Sequence, residues 1–158
     1  MKENVLDVLM YLFENYMYDE PEDDPDRASL ESSLSEAGFS DREIGKAFDW
    51  LDGLASQRHL PEMQGRSDGP VRVYTDIEQQ RLDTESRGFI TFLEGAGVLD
   101  SARRELVIDR TMALENAEVD LDDLKWIVLM VLFDQPGQEA NYAWMENFMF
   151  ESTTEMSH

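Results

Sequence analysis

Cysteine is absent from the 158 residues. That excludes a disulfide framework, an iron–sulfur cluster, a thiolate zinc site and a cysteine nucleophile. Histidine occurs only twice, as His59 in a polar stretch and His158 at the last position. Neither sits where packing would orient a general base against a serine, so a serine triad is not expected. Long apolar runs are missing as well. The longest, 8–13 and 126–133, fall far short of a membrane span. Glycine-rich phosphate cradles, a Walker lysine and a dinucleotide fingerprint are likewise absent. With 35 acids present, carboxylate pairs occur at every spacing by chance, and no catalytic residue stands out. The chain is expected not to be an enzyme and to need no metal or cofactor.

Basic residues are scarce. Thirteen Lys and Arg stand against 35 Asp and Glu, a net charge of −22. With 42% hydrophobic residues the chain is nevertheless too apolar to be disordered, so the charge belongs on the surface of a folded object. Such a field repels phosphate backbones and anionic lipid and attracts basic partners. Adaptation to a saline environment would produce the same surface, and composition alone does not separate the two. The start, Met1-Lys2-Glu3-Asn4, carries acid behind its lysine and no small-residue cleavage pattern; a signal peptide is not expected, and the cytosol is.

The charge is uneven. Residues 1–57 hold 4 basic and 15 acidic side chains, 58–110 hold 8 and 10, and 111–158 hold 1 and 10. Any nucleic-acid contact belongs in the nearly balanced middle, on Arg66, Arg72, Arg81, Arg87, Arg103, Arg104 and Arg110.

Hydrophobic periodicity sets out a mainly α fold. Leu6, Leu9, Phe13 and Met17 share one face of a helix over 5–17, and Val5, Val8, Leu12 and Tyr16 widen it, which makes the helix central. The prolines and crowded acids of 19–26 end it. That run lacks the glycine and final glutamate of a calcium loop and reads as solvated. A helix over 27–37 stops at Gly38 in a left-handed cap. Ser40-Asp41-Arg42-Glu43 reopens a helix as a capping box. This spacing is helix-turn-helix-like, yet the second helix would expose Asp41, Glu43, Asp49 and Asp52 against Arg42 and Lys46. Such a face is poorly suited to DNA, and three-helix packing is the expected role.

The polar stretch 57–70 is a linker between an N-terminal unit, 1–56, and a C-terminal unit, 71–158, two halves that can share one core. Val71 to Thr75 alternates as an edge strand would. Thr75-Asp76-Ile77-Glu78 is a second capping box, with helices expected near 76–82, 85–93 and 102–114. Over 98–108 the pattern leaves a short hairpin open against a helix. Asp120 and Asp123 cap a helix apolar all round over 126–133; capping also accounts for Glu118 and Asp122 better than a metal site does. Pro136-Gly137 ends it. Residues 8–14 and 128–134 match at five of seven positions, as two core helices would without any duplication.

The last helix, 138–151, carries more apolar residues than one core stripe requires. Tyr142, Trp144, Met145, Phe148 and Met149 are the candidate protein interface, with ordinary core as the competing reading. The architecture is thus a multi-helix orthogonal bundle with at most one short strand or hairpin.

Several strings carry a resemblance: residues 4–14, Arg87-Gly88-Phe89 through Phe92-Leu93-Glu94, 104–110, and 122–133. They resemble the bacterial Smg family nearly end to end, departing in the acidic run 19–26 and the linker. The resemblance implies a cytosolic protein without an established activity and transfers no site residue. Its genes commonly neighbour those of a DNA-processing protein and DNA topoisomerase I, which associates the family with nucleic-acid transactions. A non-enzymatic protein that docks a basic, nucleic-acid-handling partner is therefore the leading expectation, with no membrane role. Weak nucleic-acid binding through 58–110, on Arg72, Arg81, Arg87, Arg103, Arg104 and Arg110, is the alternative.

Overall fold

A computed structural model describes residues 5–17, 27–58, 73–114 and 119–156. Their architecture is all-α. In chain order the helices are α1 (Val5–Leu12), α2 (Arg27–Glu36), α3 (Asp41–Ala55), α4 (Asp76–Arg81), α5 (Thr84–Gly95), α6 (Ser101–Ala113), α7 (Leu121–Asp134) and α8 (Glu139–Met156). The chain divides into two compact units, one of Met1–Gly53 with Leu114–Asn116, the other of Leu54–Ala113 with Ala117–His158. The acidic run 19–26 and the linker positions 59–70 lie outside the described residues.

In the first unit α1 buries Val5, Leu6, Val8, Leu9 and Leu12, as its wide apolar face requires. Its continuation, Phe13–Met17, widens into a π turn. There the Asn15 side-chain Nδ2 donates to the Tyr11 carbonyl at 2.8 Å, supplying one of the bonds that the terminal carbonyls of a helix lack. Helix α2 ends in a Schellman motif. Gly38 takes φ of 104°, and the amides of Gly38 and Phe39 donate to the Ser35 and Leu34 carbonyls at 3.1 and 3.2 Å. The Ser40 hydroxyl then accepts from the Glu43 amide at 3.2 Å and opens α3. Arg27 joins the two helices, its guanidinium 4.5 Å from the Phe48 ring centroid and 3.4 Å from both Glu31 and Asp52.

In the second unit α7 is the hub, in contact with α5, α6 and α8. Leu124 and the whole run Ile127, Val128, Leu129, Met130, Val131 and Leu132 are buried. Its start is a capping box of two acids: Asp120 accepts from the Asp123 amide at 2.8 Å, and Asp123 accepts from the Asp120 amide at 3.4 Å. The box expected at Thr75 closes α4 in both directions, at 3.2 and 2.9 Å.

The strand alternatives find no support, with Val71 and Arg72 lying outside the described residues. Among the described residues there is no strand, only an isolated bridge between Leu82 and Val119. The stretch 98–108 is not a hairpin: Gly97, at φ of 81°, terminates α5 in a second Schellman motif, with Gly97 and Val98 amides donating to Glu94 and Leu93. The Asp100 carboxylate then accepts from the Arg103 amide at 2.8 Å and starts α6 immediately. Residues 73–75 run irregularly into α4, because the Thr75 cap claims the backbone that a strand would pair.

Candidate interaction surface

Helices α5 and α8 each bring two rings to one cluster. On α5, Phe89 and Phe92 are three residues apart and their centroids lie 6.3 Å from each other. On α8, Trp144 and Phe148 are one turn apart and stack at 5.3 Å with their planes 9° from parallel. Between the helices, Phe92 stands 6.2 Å from Trp144 and 6.0 Å from Phe148, and Phe89 5.8 Å from Phe148. Lys125 of α7 places its ammonium 5.8 Å from the Phe148 centroid. The inner ring, Phe89, is buried, but Phe92 is 49% exposed and Trp144 37%. Large apolar side chains left half in water make this cluster the candidate contact surface.

The five candidate interface residues therefore separate. Trp144 and Phe148 belong to this open cluster. Tyr142 is half-buried and packs instead on Phe133, centroids 5.4 Å apart. Met149 is half-buried. Met145 corrects the expectation: it is fully buried, because its position on α8 turns inward while Trp144 turns out. Phe92 was missed. Its signal is the exposed stripe of α5, where Glu85, Gly88, Phe92 and Gly95 succeed one another at spacings of three, four and three.

Among the described residues, the arginines expected to meet nucleic acid are engaged within the chain. Arg66 and Arg72 lie outside the described residues. Arg103 is a second correction, buried with 1% exposure, where Asp100 pairs with it at 3.1 Å and the Gln135 side-chain Oε1 accepts from its Nε at 3.2 Å. Arg81 donates to the Thr111 and Met112 carbonyls near the end of α6. Arg87 donates to the Leu82 and Asp83 carbonyls and the Thr84 hydroxyl. Arg104 bridges Glu94 and Glu105 at 2.8 and 2.9 Å, and Arg110 holds Asp109 at 2.9 Å. Each of these arginines thus has part of its five-donor set engaged by groups of the chain itself.

Other polar groups act structurally. Arg58 donates through Nε to Asp134 at 3.0 Å, and that hydrogen bond raises the guanidinium's pKa. The Ser86 amide donates to Asp83, the N-cap of α5, at 2.8 Å, holding its carboxyl below the usual carboxylate range. Among the described residues no three His, Asp or Glu side chains gather as a metal site would need. Nor is any described helix long and apolar enough to cross a membrane.

Residues 5–158 match a family model described as "Protein of unknown function (DUF494)". The chain is 58% identical over its full length and theirs to a protein named "Protein Smg homolog" from Alkalilimnicola ehrlichii. It is 57% identical, again end to end, to the protein of that name from Thioalkalivibrio sulfidiphilus and 58% to that from Stenotrophomonas maltophilia. No solved structure matches the chain.

Proposed function

Because the chain belongs to the DUF494 family of proteins of unknown function, we propose an activity read from its surface: it is a non-enzymatic interaction protein that docks a basic protein partner. The observation that carries this is the cluster of Phe92, Trp144 and Phe148, with two of its rings 49% and 37% exposed on a chain of net charge −22. Rings of this kind supply anchors, and the charge supplies steering. A partner whose own working surface binds phosphate carries the complementary charge, so a nucleic-acid-handling protein of the cytoplasm is the class we favour.

The test is affinity capture with wild type and with a Trp144→Ser/Phe148→Ser variant, each with and without nuclease. One stoichiometric basic protein, retained through nuclease and lost by the variant while the variant's melting stays cooperative, is the expected result. Capture that ignores the two rings would refute the reading. Partners that vanish with nuclease, joined to a gel shift of bare DNA or RNA, would transfer the function to the arginine-bearing middle.

A further inference from the structure

At the end of α7 two consecutive residues hold Gln57 and Arg58, just past the end of α3. Pro136 keeps Gln135 out of the helix, in extended backbone at φ of −83° and ψ of 125°. The Gln135 side chain is buried and is used at both ends. Its Oε1 accepts from Arg103 Nε and its Nε2 donates to the Gln57 carbonyl, each at 3.2 Å. One residue earlier, Asp134 takes Arg58, whose Nε donates to Oδ1 at 3.0 Å. Arg58 Nη2 donates to that same oxygen. The other oxygen, Asp134 Oδ2, is buried with no hydrogen-bond partner among the described residues. The backbone so held leaves α3 in tight turns, with the Gln57 and Arg58 amides donating to the Leu54 and Ala55 carbonyls at 3.0 and 3.2 Å. Leu54, where the stretch begins, is buried. All of these residues belong to the second compact unit.

We propose that residues 55–58 form a strap, fastened to the end of α7 by Arg58–Asp134 and Gln57–Gln135, which opens about the packed Leu54 while α7 stays folded. The strap opens more readily as ionic strength rises. Its two fasteners differ in what can loosen them. The inner one is a neutral hydrogen bond whose glutamine is fixed from behind by the buried Arg103, so salt has little hold on it. In the outer one the Arg58 side chain is 58% exposed and that of Asp134 only 8%. Ions therefore reach the cation and screen the pair from its open side. The closed state also leaves a buried carboxylate oxygen unbonded, a cost that hydration on opening returns. A closed state carrying such a cost lies close in free energy to its open one, which places the strap among the first parts of the fold to open. Across the rest of a chain of net charge −22, salt relieves repulsion and tightens the fold. At the strap it acts in the opposite direction. Phe92, Trp144 and Phe148 take no part in either fastener, so the strap stands or falls apart from the docking surface.

The experiment is native-state hydrogen exchange on the full chain, read residue by residue by NMR at low and high sodium chloride, about 0.05 and 0.5 M. At low salt the Gln57 and Arg58 amides are expected to exchange faster than those of Leu129 and Val131 in α7. At high salt they should speed up by about fivefold, the upper end for an exposed ion pair, while the α7 amides hold or slow. Asp134→Asn should exchange at Gln57 and Arg58 in low salt as wild type does in high salt, and should lose the salt response. Gln135→Glu keeps an acceptor for Arg103 but has no donor for the Gln57 carbonyl. It should raise exchange at Gln57 by about tenfold, the scale of one lost hydrogen bond, and keep the salt response. Exchange of Gln57 and Arg58 at the rate of Leu129 would mean that they open only with the whole fold, and the strap is overturned. Fast exchange that neither variant alters overturns it too, because the named contacts then hold nothing. If Gln135→Glu acts while salt and Asp134→Asn do not, the ionic control is overturned.

Discussion

Within one compact unit, helices α7 and α8 are both crowded with apolar residues and meet opposite fates. Six consecutive residues of α7 are buried, from Ile127 to Leu132, because α5, α6 and α8 surround it. On α8 only Met145 among the candidate interface residues is fully buried, while Trp144 stacks with Phe148 and remains 37% in water. Apolar content is thus no guide to burial by itself; the number of neighbouring elements is. The same division runs through the charges. On the closed side Arg103 is bonded to Asp100 and Gln135, whereas Arg27 of α2 meets Glu31 with both side chains about half exposed.

The closed side should break hardest. Arg103→Ala strands the Gln135 side-chain oxygen and takes the guanidinium from Asp100, and losing one partner of a buried pair costs about 3–5 kcal/mol. Glu31→Ala, which removes the half-exposed partner of Arg27, should cost no more than about 1 kcal/mol, the range of exposed pairs. Urea unfolding of the two variants measures the gap, and equal midpoints would mean that Arg103 is not the buried member. Next in size, Leu129→Ala should cost about 2–5 kcal/mol through the cavity it leaves. Trp144→Ala, whose ring is already partly wet, should cost about 1 kcal/mol. If Trp144→Ala unfolds the protein as readily as Leu129→Ala, the α5–α8 rings are core and no open surface exists.

Much of the fold is legible in the sequence wherever a local chemical reason acts alone. Thr75 with Glu78, Asp120 with Asp123, and Gly38 each fix a helix boundary within a few bonds of themselves, and the structure places them as expected. The hairpin alternative over 98–108 arose because Val98 and Leu99 read as strand residues. Their burial comes instead from the turn between two helices, set by Gly97 and by the Asp100 cap. The candidate surface was half visible. Periodicity on α8 draws attention to Trp144 and Phe148, but one helix cannot disclose that Phe92 of α5 lies across from them. It also cannot say which of Trp144 and Met145 turns inward. Arginine pairing is hidden for a related reason: sequence counts cations, and pairing depends on which carbonyl or carboxylate the fold delivers.

The smallest expected effect concerns the start of α5, the helix that carries Phe92. Asp83 accepts from the Ser86 amide, which lowers its pKa in the folded chain. A carboxyl with a folded pKa below its unfolded value adds stability at pH above the unfolded pKa of about 4, and loses it as pH falls through the folded value. Asp83→Asn keeps the capping geometry and removes the charge, so the variant should melt slightly below wild type at neutral pH. That difference should shrink as pH drops below about 4 and vanish once the carboxyl is protonated in both states. With net charge −22, acidification also relieves repulsion across the whole chain, which alters both proteins together. Only the difference between their melting temperatures reports the cap, and a difference that persisted unchanged at the lowest pH would show that the Asp83 charge contributes nothing to holding α5 in place.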